Sequence, residues 1–337
     1  RAEAEGKVVI YSFTSRIARI EKAFEAKYPK IDLIAFDINS TQQIARLKAE
    51  AAAKIGNADV AYISDIPVVV EELVKPGFLS RYVPAQFASR VPADLQQPLL
   101  ANRLSTKVLM YNEQAYPNGA PVKNLWDLTR PEWQGKVISV DPLVRGDYLD
   151  LMTEIVLRGD EMAAAYRAAF GKPIVLGARE TAGEKLLKDW LANKPVFVAN
   201  TDAAADAIGK LGQASPPIGF ATYSDRRDNK DRGRAMQVAK NIAPSNGILF
   251  PASLGLVQGG KNPAAARLLI QFMMGDDTPS GGAGFAPFNV AGDYPPRTDL
   301  AAHPDATPLA QLGAWRIDPG KTAAARKRVA DLILARQ

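Results

Sequence analysis

Val8-Val9-Ile10-Tyr11, then Ser12-Phe13-Thr14-Ser15, then Ile17, Ile20 and Phe24 in a stretch that stops before Pro29, decide the class of fold. The first four residues favour an extended strand, the hydroxyl-rich turn supplies helix caps, and the apolar spacing that follows predicts a helix with one buried stripe. The unit repeats. Ile31 to Ile38 reads as a strand, Asn39-Ser40-Thr41 as its turn, and Ile44, Leu47 and Ala51 mark a helix ending near Gly56. Ala58 to Ile63 reads as a third strand, with Ser64-Asp65 behind it. Alternating strands and helices predict a mostly parallel, helix-covered sheet, whose ligands bind beyond the carboxyl ends of the strands. Ser12, Thr14, Ser15, Ser40, Thr41, Ser64 and Asp65 all fall there. Each alone reads as a helix cap; three turns converging on one sheet edge read as ligand contacts.

After Pro76-Gly77 a proline-rich, irregular stretch leads to the strand Lys107-Val108-Leu109-Met110-Tyr111 and then to Pro117 and Pro121. A second series of units follows. Its strands are Lys136 to Val140 with the loop Asp141 to Asp147, Pro173 to Leu176 with Arg179 and Glu180, and Pro195 to Ala199 with Asn200-Thr201-Asp202. Ile218 to Tyr223 predicts a further strand, and the charged run Asp225 to Arg234 a solvated surface loop. Ile248 to Val257 reads as extended chain returning to the first series, ahead of a helix that starts at Asn262-Pro263 and carries Leu268, Leu269 and Phe272. The expected organisation is an α/β fold of two lobes, residues 1–106 with 242–293 and residues 107–241. Residues 294–337 are expected to form a C-terminal helical segment packing on the lobes.

A length of 337 residues suits two cores rather than one, and 47% apolar with 23% charged residues is the balance of a folded chain. No run of 18 apolar residues occurs, so no helix that spans a bilayer is expected. Zero cysteines exclude disulfides, thiolate metal sites and cysteine nucleophiles together. The net charge of +6 is scattered rather than blocked, and no zinc-finger spacing or RNP-like motif accompanies it, so nucleic acid is not an expected partner. The sole histidine, His303, cannot build a His/Cys metal cluster, and Pro279-Ser280-Gly281-Gly282-Ala283-Gly284 lacks the Gly-Lys-Ser/Thr ending of a phosphate loop. No enzymatic activity, cofactor or metal site is expected, and the chain is read as a monomer. Arg1-Ala2-Glu3-Ala4-Glu5-Gly6 runs into the first strand without a methionine, which reads as a processed, periplasmic chain with its signal peptide removed.

Two segments carry a resemblance. Leu125-Trp126-Asp127-Leu128 followed by Pro131-Glu132-Trp133-Gln134-Gly135-Lys136-Val137 is similar to the start of the second lobe in the periplasmic extracellular solute-binding proteins of ABC importers, particularly the ferric-ion-binding-protein-like branch. Lys261-Asn262-Pro263-Ala264-Ala265 with Leu269, Phe272 and Met273 resembles a late helix of the same family. The resemblance implies a type 2 periplasmic-binding-protein fold: two lobes and a hinged interlobe cleft, in which a ligand that contacts both lobes favours the closed state. It also implies capture of a small-molecule ligand and its delivery to an ABC importer permease. The ferric members carry two adjacent tyrosines where Asp202-Ala203 stands here, and often a histidine near the position of Ser15; the family's first-lobe carboxylate is matched by Asp65. Fe(III) favours anionic oxygen ligands, so loss of both phenolates argues against direct ferric binding.

Relatives in this family bind an anion at a helix start that matches Val144-Arg145-Gly146-Asp147-Tyr148. Helix-terminal N–H groups favour an anion, Gly146 permits close approach, and Arg145 suits an oxyanion. Asp141 lies in the same loop, and Asp147 complicates a simple phosphate pocket. Arg179 is a second candidate clamp, with Glu180 as a competing surface partner. Asn200, Thr201 and Asp202 are candidates for ligand hydroxyls or for capping; Tyr223 for stacking, phenol donation or packing; Arg103 for the cleft or a salt bridge. The expected ligand is a small polar or anionic solute, a phosphorylated sugar or organophosphate foremost. Chelated or ferric metal, or an enzyme on the same fold, are the alternatives.

Overall fold

The computed structural model describes residues 1–336. Its strands are β1 (Lys7–Ser12), β2 (Asp32–Asp37), β3 (Val60–Ile63), β4 (Leu79–Ser80), β5 (Leu100–Asn112), β6 (Val137–Val140), β7 (Val196–Val198), β8 (Ile218–Ala221), β9 (Met236–Val238), β10 (Gly247–Val257) and β11 (Trp315–Arg316). The chain divides into two compact units: Arg1–Leu104 with Pro251–Ala306, and Ser105–Phe250 with the chain from Thr307 onward. The boundaries at Leu104 and Phe250 fall inside β5 and β10.

In the first unit β1 lies between β2 and β3, parallel to both, and β10 runs antiparallel to β3 through Ser253↔Ile63 and Leu256↔Val60. β1 and β3 alternate little because both faces are covered, as expected of a parallel sheet. The helix Ile17–Lys27 buries Ile17, Ile20 and Phe24, three and four residues apart. The helix Ser40–Ala52 starts at Asn39, whose side chain accepts from the Gln42 N–H while Gln42 returns a bond to the Asn39 N–H. This capping box satisfies two donors that the first helical turn leaves open. The register Tyr11↔Phe36 and Tyr11↔Ala61 brings the carboxyl ends of β1, β2 and β3 to one edge.

In the second unit the sheet order is β5-β8-β6-β7, with β6 parallel to β7 and β8 and β5 antiparallel to β8. The segment that carries the family resemblance is a packing device. Asn124 caps the short helical turn Leu125–Thr129, Asp127 accepts from the Lys123 and Asn124 N–H groups, and fully buried Trp126 donates its indole N–H to Met162 O at 2.9 Å. Tyr166 meets the Trp126 ring edge-on, with centroids 4.9 Å apart. Trp126 thereby fixes the chain against the helix Gly159–Phe170 just before β6 begins.

Two sequence expectations need correction. Pro173 to Leu176 joins no strand: Pro173 has no N–H to give a ladder, and Val175 is 83% exposed, so neither hydrogen bonding nor burial draws this stretch into the sheet. The run Asp225 to Arg234 forms two short helical turns, Tyr223–Asp228 and Asn229–Arg232, in place of a loop; Lys230 to Gly233 are exposed as expected, whereas Asp225 and Arg234 are buried. Its buried charges are paired, Asp225 with Arg227 at 3.1 Å and Arg234 with Asp206 at 2.6 Å.

Close parallel pairing of β6 and β8 depends on Gly219, where a Cβ would stand 2.2 Å from Ile138 O. Backbone cannot yield as a side chain does, so Gly219→Ala is expected to cost roughly 1–3 kcal/mol of stability or more. A urea unfolding midpoint unchanged from the parent would show that the two strands part freely.

Candidate anion site

The carboxyl ends of β6, β7 and β8 form one rim of the second unit's sheet. β6 feeds the loop Asp141 to Arg145 and then the helix Gly146–Leu157; β7 feeds Asn200 and the helix Thr201–Gly209; β8 feeds Thr222 and Tyr223. Lys107 reaches the same rim from β5, whose register Val108↔Ala221 sets it beside Thr222.

Three charged side chains meet there. Lys107 Nζ lies 3.1 Å from Asp147 Oδ2 and donates to Thr222 Oγ1 at 2.9 Å, between the rings of Tyr148 (5.2 Å) and Phe250 (5.3 Å). Arg145 engages the same carboxylate side-on, Nη2 to Oδ2 at 3.1 Å and Nε to Oδ1 at 3.4 Å. Lys107 and Asp147 are about 95% buried, whereas Arg145 keeps 26% of its side chain exposed. Burial pushes the Asp147 carboxyl up, but Arg145 and Lys107 together outweigh it and hold the group below the ordinary carboxylate range. Burial pulls the Lys107 ammonium down, an effect that Asp147 opposes. Asp147 raises the Arg145 guanidinium further, so its charge is permanent. Asp225 acts on both cations as well, so Lys107 and Arg145 face two carboxylates.

The cluster sits at a helix start. Asp141 O receives the Val144 and Arg145 N–H groups, and Arg145 O receives those of Tyr148 and Leu149. The N–H groups of Gly146 and Asp147 meet no acceptor among the described residues, as is usual for a first helical turn. Open N–H groups and the positive end of the helix dipole favour negative charge at this position, where the Asp147 carboxylate stands.

A family model of the bacterial extracellular solute-binding proteins matches residues 10–279. The chain belongs to that family. None of the curated proteins compared with it matches its sequence. Among solved structures, this solute-binding protein is similar to iron-bound HitA from Pseudomonas aeruginosa, with 19% identity over 98% of this chain and 99% of that one and a TM-score of 0.75. AfuA from Actinobacillus pleuropneumoniae, a periplasmic binding protein solved with fructose 6-phosphate, is similar at 17% identity over 98% and 97% with a TM-score of 0.72. A Bordetella ferric binding protein is 20% identical over 98% of both chains with a TM-score of 0.63. These likenesses establish the two-lobed periplasmic-binding-protein fold, α/β in class.

The remaining candidates of this solute-binding protein take varied places. Asp141 turns its carboxylate onto the Leu143 N–H at 2.9 Å. Asn200 caps the helix Thr201–Gly209 through the Ala203 N–H, Thr201 begins that helix, and exposed Asp202 pairs with Arg232 at 3.3 Å. Tyr223 is buried, its phenol oxygen accepting the Thr307 N–H at 3.1 Å, so it packs within the second unit. Arg179 is exposed at φ 60° on the segment that forms no strand, and Glu180 pairs with Lys188 at 2.7 Å instead.

The first unit gathers Ser12, Thr14, Ser40, Ser64 and Asp65 at the carboxyl ends of its strands. Ser12 Oγ donates to Thr14 O, the Ser40 and Ser64 hydroxyls lie 3.0 Å apart, and Asp65 adopts φ 68°, a conformation Asp tolerates better than most residues. Ser15 and Thr41 are exposed. Arg103 is buried against the rings of Phe13, Tyr62 and Phe288, 3.4 Å from Asp293. Arg16, which the sequence reading passed over, bonds the same carboxylate at 2.6 Å. Lys107 and Thr222 were also passed over; the available signal was a lysine directly before the apolar run Val108-Leu109-Met110-Tyr111 of a buried strand.

Proposed function

We propose that this solute-binding component of an ABC importer captures a small, oxygen-rich anion, a phosphorylated sugar or related organophosphate, and passes it to a membrane permease without chemical change. The observation that carries the reading is the partly exposed Arg145 beside the open Gly146 and Asp147 N–H groups at the start of the helix Gly146–Leu157. Arg145 presents a partly exposed guanidinium to the oxyanion, and the Gly146 N–H stands beside it without a Cβ in the way. On the neighbouring turn of the same rim, Asn200 and Asp202 supply polar groups for hydroxyls. A fold shared with both an iron-bound and a fructose 6-phosphate-bound protein does not choose between those ligands; the side chains do. Where the family resemblance places the ferric tyrosine pair stand Asp202 and Ala203, and the tyrosines of this rim, Tyr148 and Tyr223, are buried.

Titration calorimetry with fructose 6-phosphate, glucose 6-phosphate, inorganic phosphate, unphosphorylated fructose, spermidine and Fe(III) tests the reading. Phosphate esters are expected to bind, more weakly as salt is added, and Fe(III) is expected to produce no visible phenolate charge-transfer band. Spermidine binding without any phosphate ester, or a strong ferric band lost on Tyr223→Phe, overturns it.

A further inference from the structure

The first unit's sheet is hollowed at the end opposite its polar turns. β10 runs antiparallel to β3 with Leu256 opposite Val60, so the end of β10 lies at the start of β3, away from Ser64 and Asp65. A pocket of about 410 Å³ opens there beside the last turn of the helix Ser40–Ala52, lined by Leu47, Ala51, Ile55, Phe78 and Val257 with Glu50 among them. Backbone sets its shape. Gly56 packs so closely that a Cβ would stand 2.2 Å from Gly259 O. The π-helical turn Val70–Val74 closes through Lys75 N–H to Val70 O at 2.9 Å, and Phe78 N–H to Leu73 O at 2.8 Å then fixes the Phe78 wall. Ile55, a large apolar residue of the lining, is half exposed.

Glu50 brings a carboxylate to this lining that the fold uses on one side only. Its Oε1 accepts from the Tyr11 phenol at 2.6 Å, Arg46 Nε at 3.0 Å and Asn57 Nδ2 at 3.2 Å, whereas buried Oε2 meets no donor among the described residues. Burial pushes the carboxyl up, but those hydrogen bonds and the Arg46 charge outweigh it, so Glu50 is ionised. Burial and the neighbouring Glu50 keep the Tyr11 phenol protonated and donating. A buried acceptor without a donor costs free energy that a ligand's donor recovers. Arg46 already balances the Glu50 charge and exposed Lys54 adds a positive one to the lining, so an uncharged donor fits better than an ammonium.

We propose that this pocket is a second ligand site, taking a small uncharged molecule with an apolar, ring-sized body and one hydroxyl or N–H that donates to Glu50 Oε2. An apolar lining with few polar groups is the usual make-up of a small-molecule pocket. Reaching Oε2 takes a small turn of the carboxylate about its last torsion, which is broad in glutamate. The site is independent of the anion reading.

Fluorine NMR titration of the whole chain with 4-fluorophenol and 4-fluoroanisole, which share a ring and differ in the O–H, tests it, with urea unfolding to follow folding. The parent is expected to bind the phenol about tenfold or more tightly than the anisole, the worth of a charge-assisted hydrogen bond. Glu50→Gln leaves a carbonyl oxygen to Tyr11, Arg46 and Asn57 and sets an amide NH2 in place of Oε2, so the preference is expected to vanish. Ala51→Phe fills the pocket and keeps the Glu50 bonds, so it is expected to abolish binding of both probes. A merely structural Glu50 would lower the urea midpoint on substitution and leave the phenol preference as it was, which overturns the proposal. If Glu50→Gln does not fold, Ala51→Phe decides: either probe bound as tightly as by the parent overturns it. A parent that binds the two probes alike, or neither, also overturns it. Phenol binding by a parent that binds no phosphate ester keeps this site and sinks the anion reading alone.

Discussion

Asp147→Ala is expected to destabilise the second unit by about 3–5 kcal/mol, the cost of leaving a buried charge without its partner. The stranded group is Lys107, about 97% buried and left with the Thr222 hydroxyl and two aromatic faces in place of a carboxylate. The penalty depends on pH. Asp147 is held below the ordinary carboxylate range, so its contribution is complete above the unfolded value of about 3.9 and is lost as the pH falls through the lower folded value. The difference in urea stability between parent and Asp147→Ala is therefore expected to narrow below about pH 4, as the carboxyl of the parent becomes protonated. A difference under 1 kcal/mol at pH 7, or one that widens in acid, would mean that water reaches Lys107 freely.

Arg145→Ala is expected to act on binding rather than on folding. A charge-assisted hydrogen bond contributes about 1.5–3 kcal/mol, so phosphate-ester affinity should fall roughly tenfold to a hundredfold or more. The fold should survive, because Lys107 remains on Asp147 and the Arg145 side chain is partly exposed. Arg145→Lys should restore only part of the loss, since an ammonium supplies charge without the planar fork. Calorimetry with fructose 6-phosphate reads both variants; unchanged affinity in folded Arg145→Ala would place the residue outside the site.

The order and type of the elements that build both rims are legible in the sequence alone. Strand and helix periodicity are local properties, and the apolar spacing of Ile17, Ile20 and Phe24 is visible within eight residues, as is the capping chemistry of Asn39 and Asn200. Local pattern failed where burial had the last word. Pro173 to Leu176 has strand-like residues, yet Val175 and Leu176 stay exposed, and Asp225 to Arg234 reads as solvated throughout although Arg227 and Asp206 neutralise its two buried ends. Arg145 and the helix start behind it were legible because they are neighbours in sequence. The state of charge at that helix start is set by residues brought together in space. Lys107 reads as one more residue of a strand until antiparallel pairing of β5 with β8 sets it beside Thr222 and under Asp147. The sign of the site is a sum over charges separated by 40 residues, and Coulombic interaction follows distance in space, which a linear sequence does not contain.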